Sequence, residues 1–259
     1  MKTKPNSNIE KVAIVTGAGS GIGRASAVLL AESGFRVVVS DIQLDTAQET
    51  AGLIQKLGGT SIAIKTDVTS EDECRALVDL AVSKFGRLDA AFNNAGIAGY
   101  PSLTGDLSIE HWQRVIDVNL TGVFNCLKYE LSAMKQLGNG GAIVNTASIM
   151  GLRGVAGGAA YCASKHAVIG LTKAAALEYG RENIRVNALC PGYISTPMTK
   201  GADSIFPEKH MQAAISRGAM KRLGEPDEIA EMVLWLCSDS SSFVTGASHV
   251  IDAGVTANT

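Results

Sequence analysis

Short, almost continuously apolar runs alternate along the chain with longer segments whose apolar positions recur every three or four residues. KVAIVTG (11–17), RVVVSD (36–41), SIAIKTD (61–67), LDAAFNN (88–94), GAIVNTAS (141–148), NIRVNALCPG (183–192) and SHVIDAG (248–254) read as strands. Each ends on Gly, Asn, Asp or Ser, the residues that favour turns. Helical patterns lie between most of them. Strands this apolar are buried on both faces, and βαβ alternation with right-handed crossovers builds a doubly wound parallel sheet. The expected fold is therefore α/β: one parallel sheet of about seven strands with helices on both faces. Ligands in such sheets sit beyond the strand C-termini, where this sequence concentrates its polar residues.

The 259 residues carry no Pro/Ser-rich linker, charge run or repeat, so a single domain spanning 1–259 is expected. A net charge of -2 gives no basic footprint for nucleic acid or an anionic membrane, leaving a small molecule as the default partner. The polar start MKTKPNSNIEK lacks a signal-peptide apolar region, and the five cysteines show no paired or metal-like spacing. Reduced thiols in a cytoplasmic protein are expected, with Cys162 a small buried filler rather than a reactive thiol. No metal site is expected.

The first strand runs into Thr16-Gly17-Ala18-Gly19-Ser20-Gly21-Ile22-Gly23 and then a helical pattern. Glycines there permit a tight turn and close backbone approach to a pyrophosphate, and a helix N-terminus offers free N–H groups to the anion. Asp41, ending the second strand, falls where an acid accepts hydrogen bonds from the adenosine ribose. No Arg or Lys stands at Ala18, Gly19 or Ser20 to offset a 2′-phosphate, which favours NAD over NADP. Arg24, one turn into the helix, is expected to face solvent. Asp67 is either a helix N-cap or an adenine partner, the second being favoured. In AAYCASKHAV (159–168), Tyr161 and Lys165 share a helix face, spaced for packing or for chemistry alike.

TGAGSGIG (16–23), Asp41, Asp67-Val68, NNAG (93–96), Asn119, Ser148, YCASK (161–165) and Pro191-Gly192 through Thr196 together resemble the short-chain dehydrogenase/reductase family, over Lys11 to Gly254. The resemblance implies a Rossmann-like fold and resolves the Tyr–Lys pair as chemistry. Tyr161 becomes the acid/base, its pKa lowered by Lys165 and by the positive nicotinamide. Ser148 hydrogen-bonds the substrate oxygen. Lys165 also bonds the nicotinamide ribose. Asn119 distorts its helix and holds a water that connects Lys165 to solvent. The cofactor would be gripped by Gly17, Ser20, Gly21, Ile22 and Gly23 at the phosphates. Asp41, Ile42, Asp67 and Val68 would meet the adenosine, and Asn94, Ala95 and Gly96 its ribose side. Tyr161, Lys165, Pro191, Gly192, Ile194 and Thr196 would meet the nicotinamide half.

The family usually assembles as tetramers through helices near 108–135 and 159–180, and a homotetramer is the corresponding expectation. A lid around 196–222 would cover the substrate, with Met150, Val155, Tyr193 and Met198, and further along Ile205, Phe206 and Met211, giving an apolar pocket. Arg153, between Ser148 and Tyr161, is a candidate clamp for an anionic substituent. The expected activity is NAD-dependent interconversion of a secondary alcohol, cyclic or largely apolar, and its ketone. The runner-up is a 3-ketoacyl carrier-protein reductase, which usually takes NADP and so meets opposition from Asp41. An epimerase of the longer related type needs a larger C-terminal region, and a silent NAD-binding scaffold would have lost a site group. Asp252-Ala253-Gly254 departs from the family's Asp-Gly-Gly, leaving the backbone there less free to adopt positive φ.

Overall fold

A computed structural model describes residues 10–200 and 208–257. Seven strands form one all-parallel sheet: β1 (Val12–Thr16), β2 (Arg36–Asp41), β3 (Ser61–Lys65), β4 (Ala90–Asn93), β5 (Gly141–Thr146), β6 (Ile184–Pro191) and β7 (Ser248–Ile251). Their order is β3-β2-β1-β4-β5-β6-β7, so the chain reverses its direction of travel between β1 and β4. The helices are α1 (Gly21–Glu32), α2 (Leu44–Lys56), α3 (Glu71–Phe85), α4 (Ile109–Ile116), α5 (Gly122–Leu137), α6 (Ala159–Tyr179), α7 (Glu208–Arg217) and α8 (Pro226–Cys237).

The near-continuous apolar runs have a direct cause in this layering. Successive side chains of a strand point to opposite faces. Ala13 and Val15 of β1 pack with Leu30 of α1 and Val233 of α8, while Val12 and Ile14 pack with Leu77 of α3 and Leu127 of α5. Every β1 position is buried, so truncating one, as in Ile14→Ala, removes about 2–5 kcal/mol. No helix among the described residues is long and apolar enough to cross a membrane.

Two features were not readable from periodicity. Between α4 and α5, Asp117–Thr121 forms a turn of π-helix centred on Asn119, as the resemblance implied. Behind the sheet's C-terminal edge, a polar chain crosses the core. Asn93 Nδ2 donates to Glu130 Oε2 at 2.9 Å and to Asn145 Oδ1 at 3.0 Å, and Asn145 Nδ2 donates to Thr172 Oγ1 at 3.0 Å. All four residues are buried, and burial holds the Glu130 carboxyl well above its usual range, at about 7.

Ala253 corrects the expectation for the C-terminal segment. It adopts φ 55° despite its Cβ. The left-handed backbone is held by Ala219 N–H donating to the Ala253 carbonyl at 2.7 Å and by Asp252, whose carboxylate accepts from the amides of Gly254 and Thr256 at 2.9 and 2.7 Å.

Candidate active site

The glycine-rich turn and NNAG are fastened to each other where the strand order reverses. Asn94 N–H and Ala95 N–H both donate to Thr16 Oγ1, at 3.0 and 3.2 Å, and Asn94 Nδ2 donates to the Gly17 carbonyl at 3.2 Å. Gly17 has φ 61°, and a Cβ there would sit 2.9 Å from Ala95 Cα. A Cβ on Gly23 would strike the Gly17 carbonyl, so helix α1 can approach the turn only with glycine at that position. Ser20 is the N-cap of α1 and makes no capping bond of its own.

Below this turn lies a cleft of about 500 Å³. Its lining includes Gly17, Ser20, Gly21 and Ile22 from the turn, Asp41 and Ile42 after β2, and Asp67 and Val68 after β3. Asn94, Ala95 and Gly96 border it after β4, and Pro191, Gly192, Ile194 and Thr196 after β6. Gly23 packs behind the turn rather than on the cleft surface. Asp41 is anchored by main-chain N–H groups: Gly19 donates to its Oδ2 at 2.9 Å and Gln43 to its Oδ1 at 3.0 Å. Arg24 does not simply face solvent. Its guanidinium donates to the Gly19 carbonyl, to Thr50 Oγ1 at 3.0 Å and to Glu49 at 3.1 Å, so it braces the turn.

Asp67 is not a helix cap, because Ser70 caps α3 by accepting from Glu73 N–H at 3.3 Å. Asp67 Oδ1 accepts from Thr69 N–H and Oγ1 at 2.9 and 2.8 Å. Asn93 turns into the core, away from the cleft that the rest of NNAG borders.

Ser148, Tyr161 and Lys165 converge at the other end. Lys165 is buried, its Nζ donating to the Thr146 carbonyl at 2.7 Å and lying 5.6 Å from the Tyr161 ring centre. Burial lowers Lys165 to about 8. Burial likewise pushes the Tyr161 phenol up, to about 12, against the opposing pull of the Ser148 hydroxyl. The Lys165 ammonium is directed at the Thr146 carbonyl, and the expected lowering of Tyr161 is a joint effect of Lys165 and the positive nicotinamide. Asn119 brackets one residue: its Oδ1 accepts from Ile97 N–H and its Nδ2 donates to the Ile97 carbonyl, both at 2.8 Å.

Ser148, Tyr161, Gly192, Met198 and Thr199 also border a second cavity of about 320 Å³. Met150, Val155, Tyr193 and Met211 line it, while Ile205 and Phe206 lie outside the described residues. Arg153 lines neither cavity. Its charge helps hold the Asp252 carboxyl below the usual range, where the Thr256 and Gly254 bonds outweigh the opposite effect of burial. Cys162 is only half-buried, packed beside Ile149 and Met150. Three contributors escaped sequence reasoning: the Thr146 carbonyl, Ile97 and Arg217, which lines the second cavity. Two of them act through main-chain atoms, which carry no residue-type signal.

A glycine-rich turn at the reversal of strand order, an acid after β2 and a Ser/Tyr/Lys set at the junction of two cavities define a nicotinamide-dependent oxidoreductase. A family model described as enoyl-(acyl carrier protein) reductase matches residues 17–256. The chain is 49% identical over 255 residues to cyclohexanol dehydrogenase of Acinetobacter sp. (strain SE19), covering 98% of each. It is 43% identical to cis-4-hydroxycyclohexanecarboxylate dehydrogenase of Sinomonas cyclohexanicum, covering 96% of this chain and 97% of the relative. Among solved structures, levodione reductase superposes with TM-score 0.91 at 36% identity, covering 96% of this chain and 99% of that one. The chain belongs to the short-chain dehydrogenase/reductase family.

Proposed function

We propose that this chain is an NAD-dependent dehydrogenase that interconverts a cyclic, largely apolar secondary alcohol and its ketone. The observation that carries the reading is the position of Ser148 and Tyr161 on the shared border of the two cavities, one of cofactor size and bordered by Asp41 and Asp67, the other smaller and walled by Met150, Val155 and Met211. A bound nicotinamide supplies the hydride acceptor for the alcohol and the hydride donor for the ketone. The Tyr161 oxygen takes the hydroxyl proton in oxidation and returns it in reduction. Ser148 Oγ donates to the substrate oxygen as charge develops there. Lys165, fixed on Thr146, holds positive charge beside the phenol, and Asn119 fixes the Ile97 backbone beneath the cleft.

The preference for NAD is supported by Asp41, held rigidly by two amides, and by Arg24, whose guanidinium is already engaged. A homotetramer belongs to the same reading, supported by apolar side chains exposed on the helices concerned: Ile109, Phe124 and Leu177. The five free thiols fit a reducing, cytoplasmic setting. The test is a panel of secondary alcohols, cyclic diols, sugars and steroids, followed by NADH absorbance. Cyclohexanol-type substrates should lead by at least tenfold in kcat/KM. A lead for sugars, or for ketoacyl thioesters with NADPH, would overturn the assignment.

A further inference from the structure

Among the described residues, the lining of the second cavity includes one charged residue, Arg217, the last residue of α7. The rest of the described lining is apolar or uncharged, including Pro101, Met150, Val155, Met198 and Met211. Arginine in this molecule is usually engaged. Arg222 pairs with Glu228 through two 2.6 Å bonds, Arg87 with Asp89, and Arg36 with Glu10, while Arg185 donates to the carbonyls of Leu236 and Ser238 at 2.7 and 3.0 Å. Arg153, the arginine nearest the catalytic residues in sequence, acts on Asp252. Arg217 makes no hydrogen bond or ion pair with any other described residue, and its side chain is exposed to the cavity and to solvent.

A cation with no counter-charge among the described residues, at the border of a substrate pocket whose other described walls are uncharged, is matched by an anion on the substrate. A planar guanidinium receives a carboxylate through two parallel N–H donors, which fixes orientation as well as charge. We propose that Arg217 is the specificity residue of this site, selecting ring alcohols and ketones that carry a carboxylate away from the carbinol carbon. The carbinol oxygen lies at Ser148 and Tyr161, the ring against the methionine and valine walls, and the carboxylate at Arg217. A cavity of about 320 Å³ is within the range for a small substituted ring. This rests on the dehydrogenase reading above and narrows its substrate class.

The experiment compares kcat/KM for 4-hydroxycyclohexanecarboxylate and its methyl ester, with NAD, in the parent protein and in Arg217→Met and Arg217→Lys. Cyclohexanol serves as the uncharged reference. The parent should favour the carboxylate over the ester by roughly 10- to 100-fold, mostly through KM, as a charge-assisted bond at a partly solvated site provides. Arg217→Met should collapse that ratio toward one, Arg217→Lys should retain part of it, and added salt should erode it in the parent. A ratio unaffected by Arg217→Met, or equal losses for acid, ester and cyclohexanol, would overturn the assignment while leaving the dehydrogenase reading in place. Failure to oxidise any of the three, with NAD or NADP, would overturn that reading and the inference with it.

Discussion

Replacing Glu130 with Gln should stabilise the protein relative to its parent as pH rises from mildly acidic to neutral. Glu130 is fully buried and accepts one hydrogen bond from Asn93, and neither its Oε1 nor Asn93 Oδ1 has a partner among the described residues. Its proton is held to about pH 7 in the fold and released near 4.5 in the unfolded chain. The folded state thus binds the extra proton between these values, so its stability is fully present below 4.5 and declines until about pH 7. At about 1.4 kcal/mol per decade the whole interval is worth about 3 kcal/mol, of which about 2 kcal/mol falls between pH ~5.5 and ~8. Gln keeps the shape and the acceptor without the titration. Urea unfolding followed by tryptophan fluorescence should show the parent losing about 2 kcal/mol more than Glu130→Gln over that range. Parallel pH dependence in the two proteins would refute the argument and mean that water or rearrangement solvates the carboxylate.

Tyr161→Phe should retain the fold and NAD binding while turnover falls by about 10²- to 10⁴-fold, and near-parental turnover would remove its acid/base role. Because burial, opposed by the Ser148 hydroxyl, raises Tyr161 to about 12, a pH–rate profile with a base limb well below that value would attribute the difference to the bound nicotinamide and Lys165. Lys165→Met should move the limb upward. Asp41→Ser with Ile42→Arg should shift coenzyme preference toward NADP by about 10²-fold in kcat/KM, since it removes a carboxylate and adds a phosphate partner. Ala253→Gly should raise stability by about 0.5–1 kcal/mol in thermal or denaturant unfolding, by relieving a left-handed alanine. Loss of stability would mean that the extra backbone freedom of glycine in the unfolded chain outweighs the relief of strain.

The strands, the glycine-rich turn, Asp41 and the Tyr161/Lys165 pair were legible because each depends on local periodicity or on residue types at fixed spacing. Glu130 was not, since a glutamate on an amphipathic helix reads as a solvated charge until Asn93, 37 residues away, is brought against it. Sequence proximity made Arg153 a candidate anion clamp, but the fold gives its charge to Asp252 and presents Arg217 to the cavity instead. Asn119 sits in a helix distortion, as the resemblance implied, while its bonds to Ile97 needed the tertiary approach of that helical turn to the loop after β4. Lys165 was expected to act on Tyr161, and its carbonyl partner at Thr146 carries no signal in residue identity.

No described wall residue of the second cavity lies in a sheet strand; they come from loops, a turn after β5, and helices α6 and α7. Exposed positions such as Val155 and Arg217 can therefore change at little cost, within about 0.5 kcal/mol for a surface substitution, against several for a buried strand residue. Selection for a new substrate would find its first steps here without needing a stabilising change beforehand. The same frame can pass among ring alcohols of different size and charge while the hydride-transfer apparatus stays as it is, and laboratory evolution of this chain should collect its early gains between residues 98–101, 150–158 and 193–217.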